Sequence, residues 1–336
     1  MSPIKVGIIG AGQIVENVHL PVLLSTKDVF VGWITDANLK KARSVAKAYG
    51  VKYYEFPENL SSLPEADIIL LAIPFGAREP YYAALKERKI ALYVEKPFSR
   101  SVEQHKKICS WFPDYRLAVG FQRRSWGPTL FVKRVVEDKL FGELLQVRYG
   151  FGGTGIIVGG RYSADSRLAG GGILMESGIH GIDAVLFCTD ALSVDIKSAS
   201  MIMDSGFDLH TEAAMVVTAK TNSCFEYQVT ISSLSETINR IEFYFKDVVM
   251  WYSLFSEGLI NIKPLNGNKT YTLSAGDPMY PVTAYQTFHE HWTRFLNGLR
   301  DGCSNWTSAS QTLLTTEVIE KLYQSSSGLV QPSETR

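Results

Sequence analysis

Glu176, His180 and Asp183 lie at i, i+4 and i+7 in the run GGGILMESGIHGID, residues 170–183. In a helix that spacing puts all three on one face. An imidazole so placed can take the proton of an alcohol while hydride leaves the same carbon, and a neighbouring carboxylate can orient the ring. Lys96, in the run Val94-Glu95-Lys96-Pro97, closes an apolar stretch, and its ammonium can stabilise charge developing on the same oxygen. Pro97 fixes the backbone direction there through its locked φ. Taken singly, each residue has a plainer reading: a lysine solvated before a turn, a histidine packed in a core. Together they supply what oxidation of a secondary alcohol needs, and it needs no metal. His289, Glu290 and His291 lack HExxH spacing, so no metal site is expected.

The elements that must position these groups begin with a βαβ rhythm. Apolar runs at 5–9, 29–35, 51–54, 67–72, 91–94 and 117–120 alternate with helical patterns, clearest at 38–49 and 79–89. This predicts a doubly wound sheet of six parallel strands, covered on both faces. Gly10-Ala11-Gly12 follows the first run and opens a helix at Gln13 and Ile14, where glycines let backbone approach a pyrophosphate at the helix N-terminus. Val15 stands where the third small residue of that fingerprint belongs. Asp36 ends the second run, suited to ribose hydroxyls and repelling a 2′-phosphate, so NAD is favoured and NADP remains possible. Asp36 also fits a helix N-cap. Ile73, Pro74, Glu95 and Lys96 end the fourth and fifth runs, at the carboxyl edge where such sheets bind ligands, and join the cofactor set.

After Gly120 the rhythm changes. A helix is expected over 129–138, then mostly antiparallel strands from 144 to 262, with runs at 213–219, 224–231 and 240–251, interrupted by a helix near 173–187. Helices at 285–299 and 308–324 close the chain, before a loosely held tail from Ser325. Two domains are therefore expected, 1–121 and 122–336, the second an α+β domain with a large open sheet. Eleven of the 27 glycines fall within 150–181, which suggests backbone lying close to a ligand, cofactor or another chain, or a floppy loop. The 336 residues carry 34 Lys plus Arg against 34 Asp plus Glu, so the chain is neutral and no nucleic-acid partner is expected. No apolar run reaches the ~18 residues of a membrane span, and the opening residues leave no room for a signal peptide. A cytoplasmic protein is expected. The four cysteines form no CxxC pair and read as small hydrophobes.

The chain resembles the Gfo/Idh/MocA family of nicotinamide-dependent oxidoreductases along essentially its whole length. The resemblance rests on GIIGAGQI with His19-Leu20-Pro21, on Glu95-Lys96-Pro97, and on GGGILMESGIHGID. It implies a Rossmann domain followed by an open-faced β-sheet domain used for substrate binding and oligomerisation, as a homodimer or homotetramer. It implies that His180 is the acid/base and that Lys96 contacts substrate oxygen. Glu176 stands where the family commonly has Asp, and Arg78 and Pro80 stand where its TPNxxHxE pattern has His and Glu. Gln122 and Arg123 resemble the family's crossing near the active cleft. With Arg161, Tyr162 and Arg167 they suit an anionic substrate, unless the arginines pair with carboxylates such as Asp165. The expected substrate is a sugar, sugar nucleotide or cyclic polyol. An NADP-linked reductase of a ketosugar or small carbonyl compound is an alternative, as is a non-catalytic dinucleotide-sensing regulator.

Overall fold

The structure, a computed structural model, describes residues 2–57, 59–156, 165–220, 223–254, 258–276 and 280–325. Along the first stretch run β1 (Ile4–Ile9), α1 (Leu20–Ser25), β2 (Val29–Thr35), α2 (Leu39–Tyr49), β3 (Ile68–Leu71), α3 (Glu79–Leu85), β4 (Ala91–Val94), α4 (Val102–Cys109) and β5 (Leu117–Val119). Next come α5 (Gly127–Glu137), β6 (Leu144–Gly152), α6 (Ser166–Ala169) and α7 (Ile179–Cys188). The strands β7 (Ala191–Asp204), β8 (Phe207–Ala219), β9 (Cys224–Ser232), β10 (Arg240–Phe245), β11 (Val248–Tyr252), β12 (Leu259–Pro264) and β13 (Tyr271–Ser274) follow. Two helices, α8 (Ala284–Asp301) and α9 (Leu313–Ser325), complete the order.

The chain divides into two compact units, residues 1–99, 103–122 and 284–312 against 100–102, 123–283 and 313–336. A single break after residue 121 is therefore corrected: the chain returns to the first unit at α8. The reason is burial, because Phe288, Trp292, Phe295 and Leu296 of α8 belong to the same apolar core as Val6, Ile8, Leu20 and Tyr93.

The first unit holds a five-stranded parallel sheet in the order β2-β1-β3-β4-β5, not six strands. Residues 51–54 contribute only a parallel bridge, Tyr53 to Ile34, with backbone bonds from Ile34 N to Lys52 O and from Tyr54 N to Ile34 O. Strand order reverses between β1 and β3, which makes their carboxyl ends the switch point where ligands bind in such sheets. Gly50, left-handed at φ 65°, ends α2 as a glycine can and other residues resist.

The second unit is built on an eight-stranded sheet, β13-β12-β11-β10-β6-β9-β8-β7, antiparallel except for the pair β6–β9. The run 240–251 is two strands, β10 and β11, paired as a hairpin around Lys246 and Asp247. Strict alternation of buried and exposed residues along much of β9 marks one covered and one open face. The stretch Ser166–Cys188 is long and apolar enough by composition to cross a membrane, yet 78% of its most apolar window is buried inside the protein, as in a core helix. Most of the glycines of 150–181 that are described meet this chain itself: a Cβ on Gly181 would lie 2.1 Å from the Tyr149 ring, and one on Gly172 2.0 Å from Asp208 O. Of the cysteines, Cys188 is buried and Cys109 half-buried, whereas Cys224 and Cys303 are exposed, which corrects their reading as core hydrophobes.

Candidate active site

The candidate residues fall in both units, and each set is positioned by its own unit's elements. In the first, β1 ends in the turn Gly10-Ala11-Gly12. Gly10 has φ +110°, and a Cβ there would lie 2.2 Å from Ala72 O at the end of β3, so only glycine fits. Gly12 and Gln13 are exposed and Ile14 half-buried, and a Cβ on Gly12 would meet no atom within 4 Å. The helix leaving the turn opens with one widened turn over Val15–His19, and Val15 is fully buried in the core. Asp36, past the end of β2, ties this turn down: Oδ2 accepts from Ala11 N at 2.7 Å and Oδ1 from Asn38 N at 2.7 Å. Asn38, not Asp36, caps α2, accepting from Lys41 N at 3.1 Å. Each Asp36 oxygen keeps a further acceptor site, which leaves the carboxylate competent to receive ribose hydroxyls.

At the carboxyl ends of β3 and β4, Ile73 is half-buried, Pro74 exposed and Lys96 half-buried. The Glu95 carboxylate turns inward, with Oε1 2.8 Å from His19 Nε2. Trp292 Nε1 donates to His19 Nδ1 at 3.0 Å, and since indole is only a donor, the proton of His19 sits on Nε2 and is given to Glu95. Burial by itself raises the Glu95 pKa, but the hydrogen bond from His19 and the charges of Lys96 and Arg78 outweigh it and hold the carboxyl below its usual range. Arg78 is buried and gathers carbonyls from both strand ends. Its Nε donates to Ile73 O at 2.9 Å, Nη1 to Glu95 O and to Pro97 O at 2.6 Å, and Nη2 reaches Lys96 O at 3.4 Å. Gln122 closes the first unit half-buried, and its Oε1 is buried with no hydrogen-bond partner among the described residues.

In the second unit the triple glycine leads into a widened turn over Leu174–Gly178 and then α7. Such turns are frequent at functional sites. Asp208 of β8 holds this helix start: Gly172 N donates to Oδ1 at 2.5 Å, Leu174 N to Oδ2 at 2.6 Å, and the Tyr323 hydroxyl to Oδ1. Glu176 and His180 are half-buried, one turn apart. The carboxylate of Asp183 is engaged elsewhere. It is fully buried, paired to Arg124 through Nε at 2.8 Å and Nη2 at 2.6 Å, and accepts from Thr315 Oγ1 at 2.8 Å, because a buried guanidinium demands a carboxylate. Arg123 is half-buried over the Trp126 ring, and burial brings its pKa down to about 10. Arg167 is exposed and pairs with Asp165 at 2.8 Å, while Arg161 and Tyr162 lie outside the described residues. No motif assigns a role to His19, Trp292 or Asp208; His19 stands in the run His19-Leu20-Pro21, but nothing in sequence announces the partners that come from distant segments.

The open Gly12 turn anchored on Asp36 fits a dinucleotide, since it offers backbone N–H groups with room for a pyrophosphate and a carboxylate for a ribose. Comparison with known proteins agrees. Residues 4–120 match the model of an oxidoreductase family with an NAD-binding Rossmann fold, and residues 129–247 match the GFO/IDH/MocA C-terminal domain. The chain is 26% identical over 195 residues to D-glucoside 3-dehydrogenase of Escherichia coli (strain K12), covering 55% of this chain and 54% of that protein. It is 27% identical over 202 residues to glucose-6-phosphate 3-dehydrogenase of Bacillus subtilis (strain 168), covering 58% and 57%. The match thus spans little more than half the length of these curated relatives. An oxidoreductase from Agrobacterium radiobacter, solved in complex with NAD+, L-tartaric acid and magnesium, shares the fold over 97% of each chain at TM-score 0.77 and 18% identity. Both matched regions carry one family signature, and this chain belongs to the Gfo/Idh/MocA oxidoreductase family.

Proposed function

We propose that this chain is a nicotinamide-dependent dehydrogenase acting between the secondary hydroxyl and the ketone of a small sugar, sugar nucleotide or cyclic polyol. NAD is the preferred cofactor. The observation that carries the reading is the Gly10–Gly12 turn, open at Gly12 and fixed from below by Asp36. Relatives named as dehydrogenases of glucosides and glucose 6-phosphate support the substrate class. When bound, the dinucleotide supplies the hydride acceptor or donor. Gly10, Gly12, Gln13 and Ile14 hold its pyrophosphate, Asp36 its adenosine ribose, and Ile73, Pro74, Glu95 and Lys96 border its reacting half. His180 takes the hydroxyl proton or returns it, Glu176 sets the charge around the ring, and the Lys96 ammonium stabilises the oxygen as charge develops. Gln122, Arg123 and Arg161 contribute substrate contacts. A homodimer or homotetramer goes with this reading, to be checked by light scattering.

The test is a paired screen of reduced-nicotinamide absorbance, offering NAD and NADP with polyols, free sugars, sugar phosphates and nucleotide sugars. Turnover with NAD that Lys96→Ala cuts by orders of magnitude, to a small measurable residue, is the expected result. His180→Ala is expected to keep cofactor binding and to lose ~10²–10⁴ in kcat, the usual share of acid–base catalysis. Tight cofactor binding without turnover on any substrate, in either direction, would favour a regulator that senses the dinucleotide.

A further inference from the structure

Three consecutive carbonyls, those of Glu95, Lys96 and Pro97, turn towards one buried guanidinium. Neither a strand nor a helix arranges its carbonyls so that one side chain collects three in a row. In a strand they alternate in direction, and in a helix they point along the axis to the next turn. A backbone of this shape, buried at Glu95 and Pro97, needs an outside donor for carbonyls that water cannot reach. Arg78 is that donor. It stands just beyond the short turn Phe75–Ala77 that ends the β3 connection, and its Nε is itself fixed on Ile73 O at 2.9 Å. Arg78 is 3% exposed, so its N–H groups have little access to water, and four of them donate to the carbonyls of Ile73, Glu95, Lys96 and Pro97. The fork is therefore rigid at both ends, one on the strand end that carries Ile73 and the other on the backbone that carries Lys96.

We propose that Arg78 is a positioning residue for Lys96, fixing the 95–97 backbone so that the half-buried ammonium is held in one place. The inference rests on the role given to Lys96 above. Arg78 acts through the lysine's main chain and not by touching substrate or cofactor. A lysine at position 78 keeps the charge but offers one short-range donor point in place of a planar fork, so it cannot hold strand end and turn together.

Two variants test this, Arg78→Lys and the neutral Arg78→Gln, each first checked for cooperative urea unfolding. Limited acylation of the full chain with acetic anhydride, read by peptide mass spectrometry, reports the reactivity of Lys96 against Lys41 and Lys133 as references. The expected result is a severalfold change at Lys96 alone. In turnover, Arg78→Lys is expected to lose about 10- to 100-fold in kcat, the scale set by small misplacements of a reacting group, with KM far less affected. In a Lys96→Ala background the same change should cost nothing more, since its effect passes through the lysine. Unchanged Lys96 reactivity in both variants, or losses that multiply in the double variant, would overturn the proposal. Full turnover by Lys96→Ala alone would instead overturn the reading on which it rests.

Discussion

Gly12 separates two demands that usually fall on the same residue. Gly10 is required by the fold, because its φ and the carbonyl of Ala72 exclude any side chain. A Cβ on Gly12 would meet nothing within 4 Å, so packing does not require its absence, and in the proposed reading the pyrophosphate does. Gly12→Ala is therefore expected to unfold within ~0.5 kcal/mol of the parent, as surface changes do, while NADH binding weakens at least about tenfold. Calorimetric titration beside urea unfolding checks both; unchanged affinity would remove the pyrophosphate from this turn. The same contrast explains what could be read from residues alone. Gly10, Gly12, Asp36, Lys96 and His180 stand in short motifs whose spacing encodes a local geometry, and such motifs are legible. Arg78 was visible only as a departure from a pattern, because its meaning lies in three carbonyls some twenty residues away. Asp183 misled for the opposite reason. Helical spacing gives a face, but not the buried guanidinium of Arg124 that claims the carboxylate.

Among the elements, the helix bearing Glu176 and His180 owes its placement to a strand. Asp208 accepts from Gly172 N, Leu174 N and the Tyr323 hydroxyl, and the glycines exist at 171 and 172 so that β8 and the Tyr323 side chain can approach this closely. A carboxylate at a helix start also meets the positive end of the helix. Burial raises the Asp208 pKa, and the hydrogen bonds from the Tyr323 hydroxyl and from backbone N–H groups, Leu174 and Gly172 among them, oppose that rise. Asp208→Asn replaces one acceptor oxygen by an NH2 that faces donors, so a buried N–H or hydroxyl loses its partner. The expected cost is about 1–3 kcal/mol in urea unfolding, with a fall in kcat and unchanged dinucleotide affinity. An Asn variant with parental stability and turnover would deny Asp208 this function. No periodicity betrays such a residue, since Asp208 sits in a strand like any polar neighbour of Phe207 and Leu209. Strand existence was legible from apolar runs, whereas strand partners were not. Residues 51–54 are apolar enough for a strand yet form only a bridge, and 240–251 reads as one run although it folds back at Lys246 and Asp247.

On the scale of the molecule the least legible feature is the chain's return to its first unit, because no local pattern records which core a late helix will enter. Three buried histidines stitch that return. His291 Nε2 donates to Val119 O at 2.9 Å, His19 receives Trp292, and His105 Nε2 donates to Ala309 O at 3.0 Å. His105 is 1% exposed, packed edge-on against Phe98, and burial lowers its pKa from 6.5 to about 4 against the opposing pull of the Ala309 carbonyl. The folded protein thus refuses a proton that the unfolded chain accepts below pH 6.5, so stability present above that pH is lost as pH falls towards 4. A shift of this size corresponds to roughly 3 kcal/mol in full, of which about 2 kcal/mol is gone by pH 5. His105→Gln keeps a donor for Ala309 O and does not titrate. Urea unfolding at pH 7 and pH 5 should therefore show a smaller loss in the variant than in the parent, by about 2 kcal/mol. Amide exchange in α8 should follow the same difference, since the segment after α8 is what His105 holds. Equal losses in parent and variant would show that this histidine is not what ties acid sensitivity to the returning segment.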